Sequence, residues 1–439
     1  MSFDSLGLPE ALTRAVADAG YATPTDVQSR AIPPGLAGAD LRVSSSTGSG
    51  KTASFVLPAL ARVLAARGDA SKRRDKGIVH GPRVLVLAPT RELVMQVAKA
   101  TVDYGRHIPG LRVATVVGGV PYHAQLKALR GPLDVLIATP GRLMDHMANG
   151  KAVLANVEMF VLDEADRMLD MGFIDDIKHI ASFLPAQRQS VMFSATFAGA
   201  VGQLAASMLR PDAQTIAVAT HTSTHANIEQ RLHWADDGQH KHALLEQLLS
   251  EREMEQALVF TSTQRDADWL ADKLAEIGHH VASLHGGMPQ GRRNRVLQGL
   301  RSRQLRVLVA TDVAARGIDV PSISHVINYG LPMKAEDYVH RIGRTGRAGR
   351  QGLAVTLAEA RDAGMIRRIQ QFTTQPIAVA TMEGLEPRKP APRTTGARAE
   401  VGTGRPFDRK PRFGAAGPRG AGKPGGSFGK PKRASSFGR

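Results

Sequence analysis

The sequence predicts an α/β chain. Two tandem parallel-sheet domains are joined by a flexible linker and followed by a disordered basic C-terminal tail. Three observations lead there. The 439 residues are too many for one ordinary domain and suit two. Short, wholly aliphatic runs alternate with helical-looking stretches, as expected for strands covered on both faces. The last 56 residues then change character, becoming rich in Gly, Pro, Lys and Arg.

The first element reads as a helix, since Leu8, Leu12, Val16 and Ala19 share a face, Pro9 suits a first turn and Gly20 stops it. Residues 41–43, 84–88, 113–117, 135–138, 160–162 and 191–193 then read as buried strands, each ending in small or polar residues. The basic stretch 67–83 reads as a surface loop. Periodicity lapses across residues 210–227, which marks a linker. It resumes with expected strands at 258–260, 281–284, 307–310, 326–329 and 353–357. The domains are therefore placed at 1–217 and 229–383, with a linker at 218–228 and a tail at 384–439. The tail holds 12 Gly, 8 Pro and four spaced Phe (Phe407, Phe413, Phe428 and Phe437). It has too little apolar surface to offset ordering entropy. No other internal repeat is visible.

The formal charge is +17. The tail carries 14 Lys+Arg against 3 Asp+Glu, while the other 383 residues carry 43 against 37. Such an excess implies a polyanionic partner, either nucleic acid or an acidic membrane. No apolar run approaches the roughly 20 residues of a membrane span, and Met1 to Glu10 do not read as a secretory signal, so a cytoplasmic protein without membrane association is expected. There is no Cys, which excludes disulfides and thiolate chemistry. The His residues show no metal-binding spacing. His240, His242, His279 and His280 read as surface residues, and Trp234 and Trp269 as packing residues.

Two motifs carry the chemistry. Ser45, Ser46 and then Thr47-Gly48-Ser49-Gly50-Lys51-Thr52 follow a strand and precede a helix. Glycines there let backbone N–H groups curl around phosphates, and the helix N-terminus adds partial positive charge. Lys51 would meet the β- and γ-phosphates of ATP, and Thr52 would hold Mg²⁺. Asp163-Glu164-Ala165-Asp166 follows the strand at 160–162, where carboxylates face the ligand crevice of such sheets. Asp163 can hold Mg²⁺, directly or through water, and Glu164 can polarise the attacking water.

With these motifs the chain resembles the DEAD-box RNA helicases across residues 2–357. The run from Arg167 to Phe173 looks most like the bacterial RhlE-type branch. The resemblance implies two RecA-like domains. It implies that Phe3, Tyr21 and Gln28 form the adenine-reading motif, and that Asp319 lies near the ribose. Pro89, Thr90, Arg91, Gly119, Thr139, Gly141 and Arg142 in the first domain, with Arg293, Thr311 and Arg316 in the second, would contact the RNA backbone. Ser194, Thr196, Asp166 and His340 would couple the sites, and Arg344 and Arg347 would be arginine fingers. Ser45 and Leu300 stand where the family usually has Ala and Phe. The implied activity is RNA-stimulated ATP hydrolysis driving local, non-processive unwinding of short duplexes and ribonucleoprotein remodelling. Ribosomal or RNA-decay proteins would be further partners. An ATP-gated RNA clamp without unwinding is the alternative, and a DNA-directed ATPase the weaker third.

Overall fold

The aliphatic runs form two seven-stranded, wholly parallel sheets. The computed structural model describes residues 2–45, 49–69, 80–218, 227–315, 318, 320, 322–347 and 350–392. The first sheet comprises β1 (Leu41–Ser44), β2 (Val84–Leu87), β3 (Val113–Val116), β4 (Val135–Ala138), β5 (Met159–Leu162), β6 (Gln189–Ser194) and β7 (Gln214–Ala217). Its helices are α1 (Glu10–Asp18), α2 (Asp26–Leu36), α3 (Lys51–Gly68), α4 (Arg91–Tyr104), α5 (Tyr122–Arg130), α6 (Pro140–Ala148), α7 (Ala165–Asp170), α8 (Ile174–Ser182) and α9 (Ala200–Met208). The second sheet comprises β8 (Ile228–Ala235), β9 (Ala257–Thr261), β10 (Val281–Leu284), β11 (Val307–Thr311), β12 (His325–Asn328), β13 (Gly352–Glu359) and β14 (Ala378–Val379). With it go α10 (Gly238–Ser250), α11 (Gln264–Glu276), α12 (Gln290–Arg301), α13 (Asp312–Ala315), α14 (Ala335–Ile342) and α15 (Ala363–Thr373).

The strand orders are β3-β4-β2-β5-β6-β1-β7 and β10-β11-β9-β12-β13-β8-β14. Counted within each domain these are the same order, so the chain repeats one topology without a visible sequence repeat. Alternate residues of each strand feed opposite layers. Val84 and Val86 pack under α2, α3 and α4, whereas Leu85 and Leu87 face α6 and α8. On α3, Phe55 meets Phe193 of β6 with ring centroids 5.3 Å apart, which locks that helix over the sheet. Each such fully buried side chain contributes about 1.5–3 kcal/mol.

Several expectations change. The segment 210–227 is not all linker, because it contains β7 pairing with β1, and Val218 donates its N–H to Ser44. Only Ile216 of that edge strand is buried, so no aliphatic run marks it. At the other end, Ile228 already belongs to β8, whose Glu229, Gln230 and Arg231 hide its strand character. The middle of the expected linker, 219–226, lies outside the described residues. The stretch 67–83 is likewise not simply a loop. Arg67 ends α3 and pairs with Asp134 at 2.5 Å, and Arg83 is buried against Glu158. Residues 70–79 lie outside the described set.

The expected disorder from residue 384 begins too early. Arg388 and Lys389 donate backbone N–H groups to Asp236, at 2.8 and 2.9 Å, and hold its carboxyl below the usual range. The Leu385 carbonyl lies 2.9 Å from His240, which is therefore a bridging residue rather than a free surface one. Residues 393–439 lie outside the described set. Trp234 is buried as expected, whereas Trp269 is half exposed beside His242.

The return of the chain to β7 depends on Asp40. Its buried carboxylate accepts N–H bonds from Ser190 and Arg210, both at 2.8 Å, and the Arg210 guanidinium at 3.0 Å. Asp40→Ala orphans these donors and should destabilise the first domain by about 3 kcal/mol, read from equilibrium urea unfolding.

Candidate active site

Strands β5, β6 and β1 are neighbours, so the loops leaving their C-terminal ends converge. The Ser45 N–H donates to the Ser194 carbonyl at 3.3 Å, tying the phosphate loop to β6. Lys51 is 8% exposed, and its Nζ donates to the Ser45 carbonyl at 3.4 Å. Ser49 and Ser45 are joined through their hydroxyls at 3.3 Å. Ser46, Thr47 and Gly48 lie outside the described residues. Gly50 must be glycine here. Its φ is +94°, and a Cβ would sit 2.5 Å from the Gln28 amide nitrogen.

Asp163 follows β5 and is 2% exposed. Burial pushes its carboxyl up to about 7, against the opposing pull of the Lys51 charge. Its Oδ1 is buried without a hydrogen-bond partner among the described residues. An oxygen so placed suits a cation, and Thr52 lines the same cavity. These donors fit Mg²⁺. Glu164, beside it, adopts φ 55° and ψ 53°, a left-handed conformation rare for a non-glycine residue. That strained turn both starts α7 and places Glu164 on the cavity wall.

Toward the base side, Gln28 accepts an N–H bond from Thr25 at 2.9 Å and donates to the Gly50 carbonyl at 3.2 Å. One amide hydrogen and one lone pair remain, in a fixed orientation, which is what pairwise recognition of adenine needs. Tyr21 is 53% exposed and lies 6.3 Å from the ring of Tyr104. Leu93 completes this wall with Gln96, Ala100 and Tyr104 of α4, three residues that no sequence motif indicated. Phe3 is a correction. It is buried with Leu6 in the first-domain core and does not line the cavity, because the short N-terminal turn packs it inward.

The second domain supplies the far wall. Arg344 and Arg347 line the same cavity of about 440 Å³ as Lys51, Thr52, Asp163 and Glu164. Both donate to the Ile318 carbonyl, at 3.0 and 3.3 Å, and Arg347 also donates to Gly343 at 2.8 Å. Just before them in sequence, Arg341 is fully buried over Phe260 and grips both carboxylate oxygens of Asp312 at 2.6 and 2.7 Å. This anchors α14 and aims the two arginines. Asp319 and Arg316 lie outside the described residues. His340 faces Asp166 across the cleft at 3.8 Å, and burial raises the Asp166 carboxyl. Ser194 donates its hydroxyl to the Thr196 carbonyl at 2.6 Å and so shapes the turn beside Asp166.

The residues expected at RNA divide into exposed and enclosed groups. Arg91 donates to the Gly118 carbonyl at 3.3 Å, and Arg142 to Val120 at 3.4 Å, so both guanidiniums are held at one rim. Gly119 is exposed with φ +72°. Thr139 and Gly141 start α6 at the same end of the sheet, and Thr139 makes no side-chain cap bond. Pro89 is buried, and Thr90 is buried and caps α4 through Leu93 at 3.3 Å. Thr311 is buried at the end of β11. Arg293 is a further correction: it is buried, ion-paired with Glu92 of the first domain, and bonded to the Ala314 carbonyl at 2.8 Å. It joins the domains instead of facing outward.

A second link escaped the sequence reading. Arg167, directly after the acidic tetrad, forms a buried ion pair with Asp337 on α14. The Asp337 carboxylate, with Asp166 beside it, holds the Arg167 guanidinium above its ordinary value despite burial. Lys334 adds a bond to Asp170 at 2.5 Å. Charged residues beside motifs are common, so nothing in the sequence marked these as partners.

Residues 25–204 match the family model described as DEAD/DEAH box helicase, and residues 240–349 match the helicase conserved C-terminal domain. The chain is 40% identical over 391 residues to the ATP-dependent RNA helicase SrmB of Escherichia coli strain K12, covering 89% of this chain and 86% of SrmB. That relative does not single out the RhlE-type branch. Among solved structures, Dbp5 of S. cerevisiae bound to RNA and ADP BeF3 superposes with a TM-score of 0.76 and 31% identity, covering 86% and 95% of the two chains. A Dbp5 chain bound to Nup159, Gle1, IP6 and ADP gives 0.58 and 29%, covering 85% and 95%. The two domains here thus lie closer to the arrangement seen with RNA and the nucleotide analogue.

Asp337→Asn keeps the shape but removes the charge that Arg167 meets across the domains. It should disfavour the closed arrangement by about 2–5 kcal/mol, seen as a longer interdomain distance by fluorescence energy transfer. An unchanged distance distribution would remove the pair from closure.

Proposed function

Since this chain belongs to the DEAD-box family of ATP-dependent RNA helicases, we propose that ATP hydrolysis on closure of its two RecA-like domains drives local, non-processive unwinding of short RNA duplexes and ribonucleoprotein remodelling. The observation that supports this is the single cavity lined by Lys51, Thr52, Asp163 and Glu164 from one domain and Arg344 and Arg347 from the other.

The roles follow from charge and position. Lys51, with the N-terminus of α3, neutralises the β- and γ-phosphates. Bound Mg²⁺, held by Thr52 and by Asp163 directly or through water, supplies further neutralisation of those phosphates. Glu164 orients and polarises the attacking water. Arg344 and Arg347 stabilise charge on the transferring phosphoryl group, and such fingers contribute about 10³–10⁵ in rate. Because the fingers sit on the second domain, turnover requires closure. RNA lying along Arg91, Gly119, Thr139, Gly141 and Arg142 and reaching the second domain would favour the same closed state. RNA binding and hydrolysis are then linked by mutual stabilisation. His340 and Asp166 sense that closure at the base of the cleft. The RNA is read mainly through its backbone, which carries little sequence information. A cytoplasmic location, with ribosomal or RNA-decay proteins as partners, belongs to the same proposal. Among the described residues, no helix is long and apolar enough to cross a membrane.

Glu164→Gln should bind ATP and RNA but turn over about 10²–10⁴ times more slowly, and it should lose displacement of short RNA duplexes. Wild-type protein that closes on RNA with ATP yet displaces no strand would leave only the clamp reading. ATPase stimulation equal with DNA and RNA would remove the preference for RNA, since only RNA offers 2′-hydroxyls.

The Asp163 carboxyl, pushed up to about 7 by burial, gives a pH dependence with a definite sign. Below that pH the nucleotide-free site is protonated, and a cation must displace the proton. Affinity for Mg²⁺·ATP should therefore fall as pH drops from 8 to about 6. Calorimetry in two buffers of different ionisation heat should show proton release, and Asp163→Asn should abolish it.

A further inference from the structure

The first sheet carries a second basin at its opposite edge. Arg83 precedes β2, Glu158 precedes β5 and Arg188 precedes β6, so this edge lies at the N-terminal ends of the strands, away from the ATP cleft. The basin measures about 730 Å³, within the range of small-molecule sites. Four guanidiniums line it: Arg62, Arg83, Arg188 and Arg210.

Two of the four are already compensated. Arg83 pairs with Glu158, and Arg210 with Asp40 at 3.0 Å. The other two are not paired with a carboxylate among the described residues. Arg62 donates one terminal nitrogen to the Gln189 side chain at 2.7 Å, and Arg188 one to the Pro185 carbonyl at 2.9 Å. The Nε–H of each is buried with no hydrogen-bond partner. Burial lowers the affinity of both guanidiniums for their protons, more than the nearest carboxylates, Glu158 and Asp40, restore it. An arginine cannot escape by deprotonating, so two half-buried guanidiniums without a carboxylate partner favour the arrival of an anion. Both line this one basin, Arg188 with its guanidinium 6.0 Å from the centre of the Phe160 ring.

We propose that this basin is a binding site for a doubly charged phosphate group, such as inorganic phosphate, pyrophosphate or a terminal phosphate monoester. A carboxylate or an internal phosphodiester carries one charge and would leave one guanidinium uncompensated. A dianion with three acceptor oxygens can accept from both guanidiniums at once. The Arg62 contribution comes from α3, whose first residue is Lys51. The basin is thus joined to the phosphate loop by one rigid helix, about 16 Å along its axis at 1.5 Å per residue.

The test uses the full chain without ATP or Mg²⁺. Arginines are modified with phenylglyoxal in the presence and absence of pyrophosphate, and modification is mapped by peptide mass spectrometry. Saturable protection of Arg62 and Arg188 is expected. Protection confined to the tail arginines and the ATP cleft, or none at all, overturns the proposal. The double variant Arg62→Gln with Arg188→Gln should weaken pyrophosphate binding at this site about 10- to 100-fold by equilibrium dialysis. It should keep the far-UV spectrum and ATP affinity of the wild type. Unchanged pyrophosphate binding in that folded variant also overturns the proposal. If the variant does not fold, the protection map on wild-type protein decides alone.

Discussion

The protein's chemistry depends on a separation of charge between two sheets. Lys51, Asp163 and Glu164 stand on one wall of the ATP cavity and Arg344 and Arg347 on the other. Neither wall has the full set of charges that stabilises a transferring phosphoryl group. On the proposed roles, the domains must therefore meet for chemistry to occur. In the proposed mechanism, RNA and ATP that each favour the closed state would strengthen each other's binding by the same free energy.

The closed arrangement is held by ion pairs placed just behind the reacting groups. Arg167 follows the acidic tetrad directly and reaches Asp337 on the helix that leads to Arg344 and Arg347. Asp166 faces His340 in the same layer. Glu92 and Arg293 make the corresponding link near the rim where Arg91 and Gly119 lie. A buried pair of this kind is a poor source of net stability, because desolvation offsets the attraction. It is an effective register device, because a misaligned cleft leaves each charge buried and alone. The strained backbone of Glu164 fits the same logic, since the tetrad must turn sharply to serve both the cavity and α7.

Much of this was legible in the chain because glycines, Lys51, the acidic tetrad and the arginine cluster are local in sequence and have few alternative uses. The central strands were legible because parallel strands buried on both faces must be continuously aliphatic. The edges were not. β7 buries only Ile216, and β8 opens with three consecutive polar residues, Glu229, Gln230 and Arg231, after Ile228. Residues 384–392 looked like tail by composition, yet Asp236 and His240 bind their backbone. Backbone hydrogen bonds are blind to composition, so no count of Gly and Pro could reveal that contact.

The sequence by itself determined the α/β class and the motifs expected at the nucleotide, since each strand and each motif is a run of adjacent residues. Tertiary structure alone decided which distant charges meet: Arg293 with Glu92, Arg167 with Asp337, and the unpaired Arg62 and Arg188 around a second basin. It also decided that the cleft is one cavity with its fingers on the far wall. The reason is range. A motif is fixed by chain connectivity, whereas the partner of a buried charge is fixed by packing two domains whose residues lie up to 201 positions apart.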